Sequence, residues 1–154
     1  ENQFAVGDII SVDETHVGTV ERMTLRMTQI RDSEGRAHFI PNGSITRVVV
    51  LSKDFARTLV SVDLGTGADL DRALELLREI GRELAADLHG AVLEPTDVKG
   101  VEALIPGGFT LLTSTKTAPG QQWDVARELR RRILLRFREE GLEAPAPAWP
   151  VRSR

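Results

Sequence analysis

The residues able to do chemistry are three histidines, a Gly-Thr-Gly turn, several carboxylate pairs and a late run of arginines. Zinc sites draw on histidine and cysteine at short, regular spacings. Here His16, His38 and His89 fall in a turn, a strand and a helix end, with no i, i+4 pairing and no cysteine to complete a set. They read as satisfied or solvent-exposed histidines, and no metal site is expected. Carboxylate pairs such as Glu139-Glu140 sit where a helix needs solvated charge, whereas an acid–base pair needs burial to separate its pKa values. Gly65-Thr66-Gly67 precedes a helix, and helix N-termini bind anions. It lacks a following Gly-Lys-Ser/Thr and a third glycine, and Asp69 and Asp71 would repel phosphate, so it reads as a strand-to-helix turn. No catalytic residue, no cofactor and no enzymatic activity are expected.

Arg127, Arg130, Arg131, Arg132, Arg136 and Arg138 crowd one segment. At 100° per residue Arg127, Arg131 and Arg138 share one side of a helix, Arg132 and Arg136 another, and Arg130 intrudes on the apolar arc. One reading is a solvated face partly neutralised by Glu128, Glu139 and Glu140. The other is an electrostatic surface turned to an ion path or a neighbouring subunit, and Leu135, stranded opposite the apolar stripe, favours the subunit.

Those residues must be held by a folded chain. Its 154 residues allow one core or two small ones, and 41% apolar with 28% charged residues is the composition of a globular protein. The longest uncharged apolar run, Val48-Val49-Val50-Leu51, falls far short of the ~20 residues that span a bilayer. The chain opens on Glu1 and enters an amphipathic pattern at once, so it reads as a piece of a longer protein. A net charge of −3 argues against a partner held mainly by phosphate contacts.

Residues 6 to 52 carry the marks of short strands. Ile9, Ile10 and Val12 form the first, ended by the polar turn Asp13-Glu14-Thr15-His16. A long second strand is expected from Val17 to Arg31. Its apolar residues change phase between Val20, Met23 and Ile30, which demands bulges or a sharp bend, as a small closed sheet requires. Asp32-Ser33-Glu34-Gly35 is a hairpin turn, Arg36 to Ile40 a third strand, and Pro41-Asn42-Gly43 its stop. Ile45 to Leu51, β-branched and continuous, predicts a fourth strand buried on both faces.

Beyond Ser52-Lys53-Asp54 the pattern becomes strand, helix, strand, strand, helix. Thr58, Val60, Val62 and Leu64 alternate with polar neighbours, with Leu59 the misfit. A helix from about Asp69 to His89 carries Leu70, Ala73, Leu74, Leu77, Ile80, Leu84 and Leu88 on one stripe, with Gly90 as its stop. Val101 to Ile105 and Phe109 to Lys116 flank Pro106-Gly107-Gly108 as a hairpin. Trp123, Ala126, Leu129, Ile133, Leu134 and Phe137 then fall within roughly 140° of a second helix, ended by Gly141. This order predicts a split βαβ sheet with both helices on one face. Only Leu142-Glu143-Ala144 could add its fourth strand, ahead of an extended tail at Pro145, Pro147 and Pro150.

Phe4-Ala5-Val6-Gly7-Asp8-Ile9-Ile10, Gly18-Thr19-Val20-Glu21, Leu25-Arg26-Met27-Thr28-Gln29-Ile30-Arg31, Asp32-Ser33-Glu34-Gly35 and Phe39-Ile40-Pro41-Asn42-Gly43-Ser44-Ile45 resemble, in order and spacing, the central signature of MscS-type small-conductance mechanosensitive channels. The strand-helix-strand-strand-helix order and the Gly141-Leu142-Glu143-Ala144-Pro145-Ala146-Pro147 ending resemble the same family's carboxyl-terminal domain, so the likeness covers nearly the whole chain.

The resemblance implies an α+β protein with an Sm-like β domain at 1–52, a ferredoxin-like (split βαβ) α/β domain at 53–147, and an extended tail at 148–154. It further implies seven identical subunits around a hollow cytoplasmic vestibule with side portals, below a pore that opens under bilayer tension and releases ions and small osmolytes during osmotic downshock. The family's membrane helices would lie upstream of Phe4, the last of them long, apolar and rich in glycine and alanine. The motif residues Gly7, Asp8, Gly18, Glu21, Arg26, Thr28, Arg31, Gly35, Pro41 and Asn42 are expected to do structural or interface work. The glycines supply bends, Pro41-Asn42 ends a strand, and Glu21, Arg26 and Arg31 form interface or intradomain pairs. Gly43 departs from the family, which often has a larger residue there. Two other functions fit the elements. An Sm-like RNA-binding ring is disfavoured by the negative net charge and by only two tryptophans, five phenylalanines and no tyrosine for base stacking. A small-molecule-sensing ferredoxin-like domain rests on fold analogy alone.

Overall fold

A computed structural model describes residues 3–146. The chain divides into two compact units, Glu1–Ala56 and Arg57–Arg154. The carboxyl-terminal tail, with Pro147 and Pro150, lies outside the described residues.

The first unit is a single sheet. Strands β1 (Ile9–Val12), β2 (His16–Met23), β3 (Met27–Arg31), β4 (Ala37–Pro41) and β5 (Val48–Val50) are ordered β4-β3-β2-β1-β5. With no second layer, the sheet must bury one face against itself. Ile10, Val12, Val20 and Ile30 form that core, flanked by Phe4, Met23, Ile40, Ile45, Val48 and Val50. β4 and β5 are the edges of an open sheet; no ladder joins them among the described residues. The bend is aided by a register shift between Val20 and Arg22 where β2 meets β3, at the first of the phase changes in the sequence.

Two expectations are corrected. Val17 to Arg31 is not one strand: Thr24, Leu25 and Arg26 turn the chain back, so that β2 and β3 pair antiparallel. The segment 45–51 is not a strand buried on both faces. The Asp13 carboxylate takes the amides of Thr46 and Arg47, pairing begins only at Val48, and Val49 is 37% exposed because an edge strand covers one face alone.

The second unit opens on β6 (Ala56–Gly65), followed by α1 (Leu70–Asp87), β7 (Asp97–Ile105), β8 (Gly108–Thr117) and α2 (Gln122–Glu140). Sheet order β6-β8-β7 places β8 between the two strands that α1 connects, the split βαβ arrangement. Asp69 caps α1 by accepting from the Arg72 amide at 3.1 Å. Gly141, at φ 71°, closes α2 in the left-handed conformation that glycine adopts freely. No fourth strand forms among the described residues. Leu142-Glu143-Ala144 supplies only a carbonyl, Glu143 O, to the Gly65 amide at 2.8 Å.

The core gathers Val60 and Leu64 of β6, Ala73, Leu76, Leu77, Ile80 and Leu84 of α1, and Phe109 and Leu111 of β8. α2 contributes Val125, Ala126, Leu129, Ile133 and Phe137. Its apolar stripe is therefore rotated from the expected arc: Trp123 and Leu134 are 43% and 57% exposed, while Gln122 and Val125 are buried. Arg130, placed by sequence at the arc's edge, stays outside the core and exposed. Leu59 points outward, as its phase required.

Helix α1 carries Gly81 against β7's approach, where an added Cβ would lie 2.6 Å from the Thr96 Cβ. Alanine would gain about 1 kcal/mol of helix propensity. The overpacking cost of about 1–3 kcal/mol outweighs it. Gly81→Ala is therefore expected to lower the urea midpoint of the C-terminal unit; an unchanged or raised midpoint would show that the helix can shift away.

Candidate functional site

The motif residues do not converge on a cleft. They brace the bent sheet at four places. At the entry, Gly7 (φ 99°) turns the chain so that its amide reaches the Val20 carbonyl at 2.8 Å. Asp8 follows, with Oδ2 accepting the Ala5 amide at 2.9 Å and Oδ1 accepting the Ser52 hydroxyl at 3.1 Å; Ser52 in turn accepts the Ile9 amide. These hydrogen bonds, chiefly that from Ala5, hold the Asp8 carboxyl below its ordinary range. Ser52, read as a boundary residue, thus ties the end of the unit to its beginning.

Along β2 and β3, Gly18 passes so near the neighbouring strand that a Cβ would stand 2.6 Å from the Arg31 carbonyl oxygen. Beside it the Arg31 guanidinium binds Glu21 through Nε and Nη2, each at 3.1 Å, and donates to the Gly35 carbonyl at 2.8 Å. Gln29 adds a donor to Glu21 at 3.0 Å. Glu21 and Arg31 are an intradomain pair, and Arg31 holds the Glu21 carboxyl below its usual range. Arg26 makes no ion pair among the described residues.

At the β2–β3 turn, buried Thr28 donates its hydroxyl to Asn42 Oδ1 at 2.6 Å. Asn42 Nδ2 donates to the Thr24 carbonyl at 2.9 Å, and the Asn42 amide to the Arg26 carbonyl at 2.7 Å. Asn42 is placed for this because Pro41 ends edge strand β4 and the chain enters a single 3-10 turn, Asn42–Ser44. A side chain at Gly43 would meet open space, so the departure there is sterically free in either direction.

The fourth place escaped sequence reasoning. His16 and His38, assigned to a turn and a strand, stack with ring centroids 4.7 Å apart. His38 Nε2 lies 2.8 Å from Asp32 Oδ2, which also accepts from Arg36 Nε, while Asp32 Oδ1 accepts the amides of Glu34 and Arg36. Asp32 therefore organises the hairpin that Gly35 (φ 82°) completes. His38 first, then the Arg36 amide, drive its carboxyl far below the ordinary 3.8. Only the Asp-Ser-Glu-Gly turn pattern hinted at this; the histidine contact spans strands and leaves no local signal.

In the second unit the arginines divide. Arg132 reaches Glu128 of α2 at 2.8 Å and Asp87 of α1 at 2.9 Å. Arg136 reaches Glu79 and Glu83 of α1 at 3.0 and 3.2 Å. At the other end Arg72 of α1 binds Glu140 of α2 at 3.0 Å and Glu75 of its own helix. Charges alternate between the helices as a ladder. Arg127 and Arg131 make i, i+3 pairs with Asp124 and Glu128 on the outer side. The Gly65–Gly67 turn borders a cavity of about 670 Å³ walled also by Asp69, Glu140 and Glu143, with the Gly65 and Thr66 amides already bonded to Glu143 and Gly107. That wall is acidic and its amides are occupied, the opposite of a phosphate cradle.

Comparison with known proteins gives the same two units. The family described as "Mechanosensitive ion channel, beta-domain" matches residues 1–51, and "Mechanosensitive ion channel MscS, C-terminal" matches residues 58–144. The chain is 33% identical over 151 residues to the small-conductance mechanosensitive channel of Caldanaerobacter subterraneus subsp. tengcongensis, covering 98% of this chain and 53% of that protein. It is 29% identical over 153 residues to the moderate conductance mechanosensitive channel YbiO of Escherichia coli, covering 98% of this chain and 20% of the relative. The chain thus spans about half the length, or less, of these relatives. In fold it is similar to closed-state Helicobacter pylori MscS, with a TM-score of 0.80 at 18% identity, covering 99% of this chain and 60% of that one. Arabidopsis thaliana MSL1 gives a TM-score of 0.64 at 17% identity, covering 95% and 54%.

Because Asp32 is an anion with a depressed pKa in the fold, its stabilisation is complete above the unfolded carboxylate range and is lost as pH falls through it. Asp8 and Glu21 act in the same direction. Stability of the N-terminal unit should therefore decline between about pH 5 and pH 2. Asp32→Asn should be less stable at pH 7 and show a flatter decline, read by denaturant titration at several pH values; a parent-like slope would remove Asp32 from that role.

Proposed function

The chain belongs to the MscS family of mechanosensitive channels, and from that premise we propose that it forms the extramembrane, cytoplasmic part of a channel subunit. Identical copies, seven by family resemblance, assemble as a ring around a vestibule below the pore. Ions and small osmolytes cross that vestibule when bilayer tension opens the channel in osmotic downshock. The observation that carries this reading is the order of two matched domains along nearly the whole chain, each folded as a separate unit. Homology to channels favours it over an RNA-binding ring.

No described helix is long and apolar enough to cross a membrane, so the part described here contributes assembly and electrostatics. In a confined opening, fixed charge decides which ions pass. The outward arginines of α2 and the acidic wall around Gly65–Gly67 are the charge available for that purpose. Gly7, Asp8, Gly18, Glu21, Thr28, Arg31, Gly35, Pro41 and Asn42 serve by bracing the sheet that the ring is built from, and Arg26, unpaired within the unit, serves at a subunit interface.

Full-length protein reconstituted in liposomes should give stretch-activated currents in excised patches and a particle mass of seven subunits. A protein that stays monomeric, or that conducts independently of suction, would overturn the proposal.

A further inference from the structure

Leu25 is 99% exposed, more than any other large apolar side chain described. A single exposed leucine is ordinary on a protein surface. Leu25 differs because of how firmly its turn is held. Thr24 Oγ1 accepts the amides of Arg26 and Met27 at 3.3 and 3.0 Å, and the Thr24 amide returns to the Met27 carbonyl at 2.8 Å. Asn42, itself fixed by buried Thr28, grips both the Thr24 and Arg26 carbonyls. Hydrogen bonds from a residue 18 positions away hold a turn whose own leucine packs on nothing in the unit. Next to it, the Arg26 guanidinium has no ion pair among the described residues.

The same unit presents a receptor. A cavity of about 280 Å³ is lined by Phe4, Val6 and Met23, with Asp8 and Lys53 at its wall. It has several times the roughly 30 Å³ that a water molecule occupies in the liquid, room for a branched aliphatic side chain. Asp8 is held anionic, and each of its oxygens, spent once on Ala5 or Ser52, keeps a lone pair for a further donor. Lys53 faces the same carboxylate, so a guanidinium arriving there would share it.

We infer that the Leu25-Arg26 tip of one copy enters the Phe4/Val6/Met23 cavity of the next copy, with Arg26 directed at Asp8. This rests on the ring assembly proposed above and names its contact in the N-terminal unit. Two observations select a second copy as the occupant. Charge is complementary: an unpaired guanidinium beside the apolar knob, an anion beside the apolar hole. Knob and hole also lie at one level, because Met23, the last residue of β2, lines the hole and the tip begins one residue later. Rotation about a ring axis preserves height, so a head-to-tail ring requires its two complementary surfaces at the same level. Insertion into the cavity of its own copy is excluded by the exposure of Leu25. Preorganisation of the tip by Asn42 lowers the ordering cost of docking.

The residues described contain no cysteine, which permits a direct test. In full-length protein freed of any other cysteine, Leu25→Cys combined with Val6→Cys should give, under mild oxidant, a ladder of covalent species beyond the dimer that neither single variant gives. Cross-links that stop at the dimer would replace the head-to-tail contact by a reciprocal pair and overturn the inference. An oligomer of unchanged mass without cross-links would overturn the contact while leaving the ring intact; absence of any oligomer would overturn both. Leu25→Ser supplies an independent reading. Since Leu25 packs on nothing within its unit, the substitution should leave monomer melting unchanged and weaken subunit association on the order of tenfold. Unaltered association would contradict the assignment.

Discussion

A sheet with no partner layer can exclude water from one face only by bending until its own side chains meet, and the N-terminal unit is organised by that constraint. Ile10, Val12, Val20 and Ile30 reach full burial inside a single sheet of five short strands. Curvature of this degree forces backbones together, which is why Gly18 faces the Arg31 carbonyl where any Cβ would collide. It also strains the ladder, and the irregularity between Val20 and Arg22 relieves it. The polar residues of the motif then act as struts across the bend. Asp8 and Ser52 close the ends of the unit, Glu21 and Arg31 bridge β2 to β3, and Asn42 fastens the edge strand's exit to the turn before β3.

The C-terminal unit solves the same burial problem by layering. Two helices cover one face of a three-stranded sheet, and the buried threonines of β8 are satisfied locally: Thr113 donates to the Val60 carbonyl and Thr115 meets Thr96. Because the helices carry their acids and bases in opposed register, the arginines that looked like an outward cluster are partly spent inward, on α1. Only the remainder, Arg127, Arg130, Arg131 and Arg138, faces out, beside exposed Trp123 and Leu134.

Much of this was legible wherever the signal is local. Hydrophobic period placed α1 and β6, Asp69 and Gly141 marked helix ends, and Gly35 and Pro41-Asn42 marked the hairpin and the strand stop. The failures share a cause. Thr24-Leu25-Arg26 contains neither glycine nor proline, and its turn is imposed by Asn42, which no pattern within β2 or β3 announces. The 45–51 segment has the composition of a central strand, but Asp13, more than thirty residues earlier, captures its first amides. Trp123 biased the apolar arc of α2 by its size, although the packed stripe runs through Val125. The His16–His38 contact depends on sheet curvature, which composition does not encode.

The ladder between α1 and α2 has one more consequence. Its pairs lie at the water-exposed rim of a seam whose interior is aliphatic, so the two helices are held by forces that answer ionic strength differently. Screening shortens the reach of exposed charges to about 10 Å at 0.1 M salt and to about 3 Å at 1 M, whereas apolar burial is left intact or strengthened. As electrolyte concentration rises or falls, adhesion between the helices passes from one kind of force to the other.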